Sequence, residues 1–60
     1  MSQIKLIYEA LKDGPKTGMQ LAQVGGVNPL KLTARLADLR RWLQQQGMDW
    51  LNQNGVYELV

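Results

Sequence analysis

Hydrophobic residues in the first part of the chain recur at the spacing of one helical face. The apolar residues at positions i, i+3, i+4 and i+7 are Ile4, Ile7, Tyr8 and Leu11. This spacing predicts an amphipathic helix from Gln3 to Lys12. The segment Asp13-Gly14-Pro15 predicts the end of that helix, because glycine is favoured as a C-terminal cap and proline cannot continue the hydrogen-bond pattern.

A second, shorter helix is predicted directly afterwards. Thr17 and Gln20 have the spacing of a capping box, in which the hydroxyl and the amide each satisfy a backbone N–H group at the start of a helix. The apolar residues of this segment are Leu21, Ala22 and Val24. Gly25-Gly26 predicts its end.

The longest hydrophobic stripe belongs to a third predicted helix. Asn28 is a favourable N-cap, and Pro29 at the first helical position costs no hydrogen bond. Leucines then recur at intervals of four, three and four residues, and they are Leu32, Leu36, Leu39 and Leu43. The polar residues Gln44 to Gln46 are expected to extend this helix, and Gly47 is expected to end it.

After Gly47 the period of the pattern changes from helical to alternating. Met48-Asp49-Trp50 and Val56 to Leu59 alternate with a period of two, and Asn52 to Gly55 has the composition of a hairpin turn. A lone hairpin is marginal in water, so its apolar face is expected to pack on the helices. The predicted fold class is therefore mostly α, with three helices and a C-terminal β-hairpin.

Length and composition limit the functions open to the chain. Its 60 residues allow one small domain, which we place at residues 1–60. The chain contains no cysteine and no histidine, which excludes disulfides, Cys/His zinc sites and catalysis by a histidine or a thiol. The carboxylates form no metal-like cluster in sequence, and no glycine-rich phosphate-binding motif is present. We expect no enzymatic activity, no metal, no cofactor and no small-molecule substrate.

Charge and hydropathy bear on the partner and the compartment. Seven Lys and Arg residues against five Asp and Glu residues give a formal net charge of +2, which permits an anionic partner without requiring one. No apolar run reaches the roughly 18 residues of a membrane span. The N-terminus also lacks the apolar core of a signal peptide. The expected localisation is cytoplasmic, with no membrane partner.

The order helix, short helix, glycine-containing turn, long helix and hairpin resembles that of winged helix-turn-helix domains. The segments that carry the likeness are Thr17 to Gln23, Gly26-Val27-Asn28, Leu36 to Trp42, Gly47 to Trp50 and Gly55 to Leu59. Within this family the sequence is most similar to the N-terminal DNA-binding domain of the biotin repressor group. It departs from the family pattern at Gly25, where a larger apolar residue is usual. This departure is expected to thin the core between the second and third helices.

The resemblance implies a small transcriptional regulator that binds double-stranded DNA with its third helix in the major groove. The basic residues expected to contact phosphates are Lys31, Arg35, Arg40 and Arg41. The helix caps Thr17 and Asn28 would present backbone N–H groups to phosphate. Asn28, Thr33 and Ala34 are expected at base edges.

Helical geometry defines the side of the third helix that faces away from the leucines. At 100° per residue, this side is formed by Leu30, Thr33, Ala34, Ala37 and Arg41. It is poor in the Arg, Asn and Gln side chains that make bidentate contacts with bases. Sequence selectivity by a single copy is therefore expected to be modest, and a homodimer or a partner protein would supply the rest.

Two alternatives stay open at this surface. Its apolar part would also suit a protein–protein interaction module on the same scaffold. Asp38 is interpreted as an ion-pair partner of Arg35 or Arg41 at i±3 spacing, and a contact with a cytosine amino group is the alternative.

Overall fold

The computed structural model describes residues 2–60, which form three α helices, one 3₁₀ turn and three short strands. In chain order they are α1 (Gln3–Lys12), β1 (Lys16–Thr17), α2 (Gly18–Gly25), the 3₁₀ turn (Pro29–Lys31), α3 (Leu32–Gln44), β2 (Trp50–Gln53) and β3 (Val56–Leu59). The predicted layout, helix-rich with a C-terminal antiparallel hairpin, is confirmed.

The first two helices begin at side-chain caps. The Lys5 N–H donates to the Ser2 hydroxyl over 3.1 Å at the start of α1. At the start of α2, the Gln20 N–H donates to Thr17 Oγ1 over 3.2 Å, and the Thr17 N–H donates to Gln20 Oε1 over 2.9 Å. The predicted capping box is therefore confirmed.

The third helix begins later and ends earlier than the sequence predicts, because α3 runs from Leu32 to Gln44. Asn28 caps a 3₁₀ turn instead of α3, because its Oδ1 accepts the Leu30 N–H at 3.0 Å and its carbonyl accepts the Lys31 N–H at 2.7 Å. At the other end, Gly47 has a φ of +74°, and the Met48 N–H donates back to the Leu43 carbonyl over 2.9 Å. This closure places Gln45 and Gln46 in the terminal turn, so the prediction that they extend the helix is wrong.

The hairpin has a tighter turn than predicted, and its first strand lies later in the chain, since Met48 and Asp49 precede β2 while β3 has the predicted bounds. Gln53 pairs with Val56, so the loop contains only Asn54 and Gly55. Both have positive φ, +55° and +83°, as a type I′ turn requires. The part of the predicted turn before Asn54 therefore belongs to β2.

A third strand was not predicted. Lys16 of β1 pairs with Tyr57, and Thr17 pairs with Val56, which gives an antiparallel sheet in the order β1-β3-β2. Two residues carry no periodicity of their own, so only the position of β3 beside them reveals the strand. The sheet joins the start of α2 to the hairpin.

A single apolar core holds the helices and the hairpin together. Its buried residues are Ile7, Leu11, Leu21, Ala22, Val27, Leu32, Leu36, Leu39 and Leu43. Partly buried residues packed against it include Tyr8 from α1 and Trp50, Tyr57 and Leu59 from the hairpin. All four leucines of the predicted stripe are buried, so one side of α3 is anchored and its other side is directed outwards.

Gly25 lies at the contact between α1 and α2. A Cβ atom at this position would stand 2.9 Å from Ile7 Cγ1 and 3.2 Å from Val27 Cγ2. The expectation of a thinned core between the second and third helices is therefore wrong. The missing side chain instead lets α2 approach the buried Ile7 closely.

Candidate nucleic-acid interface

The outward side of α3 and the turn before it form an exposed surface, which we call the outer face. Its residues are Leu30, Thr33, Ala34, Ala37 and Arg41, and all five are exposed. Leu30 is 92% exposed, the largest value among the exposed large hydrophobic residues. The outer face is thus a mostly small and apolar surface with one cation on it.

Asp38 holds two of the predicted phosphate-contacting arginines. Its Oδ2 lies 3.5 Å from Arg35 Nη2, and its Oδ1 accepts a hydrogen bond from Arg41 Nη2. The interpretation of Asp38 as an ion-pair partner at i±3 spacing is confirmed, with both arginines instead of one. Both side chains remain accessible, because Arg35 is 38% and Arg41 is 75% exposed.

Arg40 links α3 to the first strand of the hairpin. Its Nε donates to Asp49 Oδ1 over 2.9 Å, and its Nη2 donates to the Trp50 carbonyl over 3.1 Å. Its guanidinium also stacks 3.8 Å from the centre of the Trp50 ring. Arg40 therefore differs from the other three predicted phosphate contacts in its partners, because its ion pair, its hydrogen bond to a carbonyl and its stacking all connect α3 to the start of the hairpin, although its side chain is 41% exposed.

The same cluster fixes the position of Trp50 and the charge of Asp49. Trp50 Nε1 donates to the Leu36 carbonyl over 2.9 Å, and the Trp50 and Tyr57 rings meet edge to face at 5.2 Å. Hydrogen bonds from the Arg40 side chain and then from the Trp50 N–H hold the pKa of Asp49 below its ordinary value of 3.8. Asp49 therefore stays ionised at neutral pH, and its ion pair with Arg40 is maintained.

The two predicted helix caps are partly occupied by internal hydrogen bonds. At α2, the Gly18 N–H donates to the Gly55 carbonyl over 3.3 Å, and Thr17 Oγ1 accepts the Gln20 N–H. At the 3₁₀ turn, Asn28 Oδ1 accepts the Leu30 N–H. These bonds leave fewer N–H groups for a phosphate than the sequence suggested.

A cleft of about 540 Å³ separates the outer face from the hairpin. Side chains that line it include Thr33, Ala37, Arg41 and Gln44 from α3, with Trp50 and Tyr57 from the sheet. The outer face and the hairpin therefore form the two walls of this cleft.

The charge of this surface is positive after the ion pairs are counted. Asp49 compensates Arg40, and Asp38 is shared by Arg35 and Arg41. Lys31 has no ion-pair partner among residues 2–60. Three cations and one carboxylate therefore leave a surplus of two positive charges beside the outer face.

The described part of the chain carries its polar chemistry on the surface. Residues 2–60 include no buried polar or charged residue and no group of three or more acidic side chains placed to bind a metal ion. None of their helices combines the length and the apolar character needed to cross a membrane.

Comparisons of the chain with protein-family models, with curated proteins and with solved structures find no match.

Proposed function

We propose that the chain is a winged helix-turn-helix domain that binds double-stranded DNA and acts as a small transcriptional regulator. The observation that carries this proposal is the surplus of positive charge along a side of α3 that no other described element covers. The order of the helices, the turn between α2 and α3 and the hairpin after α3 support the same class.

The outer face has the size and shape for close approach to a groove. The major groove of B-DNA is about 12 Å wide and admits an α helix. Ala34 and Ala37 project only a methyl group each, so the helix backbone can come near the base edges. Lys31 and Arg35 flank this surface on one side, and Arg41 lies on it. Cations placed beside such a helix meet the phosphates at the edges of the groove.

The hairpin would lie beside the DNA backbone as the wing. Its tip, Gln53, Asn54 and Gly55, is exposed and carries amides and backbone groups but no cation. The Arg40–Asp49 pair and the Trp50 stack hold the root of the hairpin against α3. A fixed wing costs less ordering free energy on binding than a mobile one.

Replacement of Lys31 tests the proposed contact surface. At 0.1 M salt, Lys31→Ala should weaken binding to a fluorescein-labelled duplex by roughly five- to tenfold, because each neutralised phosphate adds about −0.9 to the slope of log affinity against log salt. The loss should be equal on unrelated sequences, because phosphates carry no sequence information. Fluorescence anisotropy measures both effects.

Lys5→Ala is the matched control for this experiment. Lys5 is also an exposed lysine without an ion-pair partner among residues 2–60, but it lies on α1. Its replacement should leave the affinity within about twofold of the wild type. An equal loss in the two variants would contradict the assignment of the contact to the outer face.

A protein–protein interaction module is the second candidate function, and the 92% exposure of Leu30 favours it. In that case Leu30→Glu abolishes capture of the partner, and Arg41→Ala changes it little. The DNA proposal instead requires Arg41→Ala to weaken binding to the duplex, so the response to this variant separates the two functions.

A further inference from the structure

The cations around the outer face are poorly placed to read bases. Arginine and lysine most often specify guanine through its O6 and N7 atoms. Here Asp38 holds Arg35 and Arg41, and Asp49 holds Arg40. A bidentate contact between one of these arginines and guanine would first have to break an ion pair. Lys31 has no ion-pair partner among residues 2–60, but it flanks the outer face and does not lie on it. Base selection by charged side chains is therefore disfavoured on this surface.

Leu30 is presented outwards on a firmly held segment of backbone. Its N–H donates to Asn28 Oδ1 over 3.0 Å, and the next N–H, that of Lys31, donates to the Asn28 carbonyl over 2.7 Å. Pro29 before it further restricts the backbone. The side chain nevertheless stays 92% exposed. The turn thus holds a large apolar group in water, beside the cation Lys31.

The neighbouring residues extend this apolar surface along α3. Ala34 and Ala37 are exposed, and Thr33 adds a methyl group beside a hydroxyl. In the major groove, the one apolar group on the base edges is the C5 methyl of thymine. A surface of this kind gains free energy from contact with that methyl and gains nothing comparable from cytosine or guanine.

We propose that the outer face selects DNA by apolar contact with thymine methyl groups, with Leu30 as the main specificity-determining residue. This inference rests on the proposed function, since it assigns a base preference to the same surface. Leu30 is thereby assigned to contact with DNA and not with a protein partner, because the surplus of positive charge lies next to it.

Replacing thymidine by deoxyuridine tests the proposal, because it removes the methyl group and keeps the base-pairing edge. An alternating A–T duplex presents methyl groups in every register, and the same duplex with deoxyuridine presents none. The wild-type protein should bind the deoxyuridine duplex about three- to fourfold more weakly for each methyl group contacted. Fluorescence anisotropy at one fixed salt concentration gives the ratio of the two affinities.

Two leucine variants assign the effect to a residue. Leu30→Ala should bring the ratio of the two affinities close to one. Leu51→Ala removes an exposed leucine from the hairpin instead, where Leu51 is 45% exposed, and should keep the wild-type ratio. A ratio unchanged by Leu30→Ala would overturn the assignment to Leu30.

The possible failures are distinguishable from one another. Equal and measurable affinity of the wild type for the two duplexes would overturn this inference while the proposed function stands, and it would leave Leu30 for a protein partner. No binding to either duplex would overturn the proposed function itself, and this inference with it.

Discussion

Leu39→Ala is expected to leave much of the protein unfolded at 25 °C. Leu39 is fully buried at 0% exposure, in the middle of the stripe that anchors α3. Truncating such a leucine costs about 2–5 kcal/mol, through lost burial and the cavity left behind. A domain below about 70 residues with a single core rarely has more than about 3–5 kcal/mol of stability. The free energy of unfolding, measured by urea denaturation followed by circular dichroism, should therefore fall close to zero.

Leu30→Ala is the control, because it makes the same substitution at an exposed position and so isolates the effect of burial on stability. It removes the same atoms from a side chain that is 92% exposed, so the free energy of unfolding should change by less than about 0.5 kcal/mol. A comparable loss in both variants would mean that α3 packs through a different side, and the outer face would then not be free to bind.

Gly25→Ala is expected to lower the free energy of unfolding by about 1–3 kcal/mol, the usual cost of overpacking a core. Alanine is the better helix former by about 1 kcal/mol, so helix propensity alone predicts the opposite sign. Packing decides the result, because the new methyl would stand 2.9 Å from Ile7 Cγ1 and 3.2 Å from Val27 Cγ2. Ile7 is fully buried and branched at Cβ, so it has little freedom to move away.

Gly18→Ala makes the same change at the other end of α2. Its Cβ would lie 3.4 Å from Leu32 Cδ2 and 3.5 Å from Tyr57 Cε1, which are ordinary contact distances. Thermal unfolding of the two variants should therefore diverge: Gly25→Ala melts earlier than the wild type, and Gly18→Ala melts at the same temperature or slightly later. A Gly25→Ala variant as stable as the wild type would contradict the close approach of α2 to Ile7.

The elements with local signals were predictable from the sequence. Apolar spacing defines α1 from Gln3 to Lys12, and the Thr17–Gln20 capping box marks the start of α2. β1 was not predictable, because a two-residue strand exists only through its pairing with β3. The 3₁₀ turn was missed because proline after an N-cap is equally compatible with an α helix.

The candidate site was predictable only in part, because some of its interactions join residues within one helix and others join separate segments of the chain. Helical periodicity identified the exposed outer face, since the buried leucines determine the opposite side. The pairing of Asp38 with Arg35 and Arg41 follows from spacing within one helix. The partner of Arg40 is Asp49, which lies beyond Gly47 on a segment that folds back from α3. No local sequence pattern predicts how the chain after Gly47 folds back onto α3, so the sequence did not predict that Arg40 holds the hairpin.

The salt dependence of DNA binding tests the central claim most directly, namely that Lys31, Arg35 and Arg41 neutralise phosphates while Arg40 does not. Fluorescence anisotropy on a random-sequence duplex at several salt concentrations should give a slope of log affinity against log salt of about −3, because each phosphate contributes about −0.9. Arg41→Ala should reduce the steepness of the slope by about 1, and Arg40→Ala, measured where it is folded, should leave it unchanged. Affinity that does not respond to salt, or a slope that responds to Arg40→Ala but not to Arg41→Ala, would contradict the account.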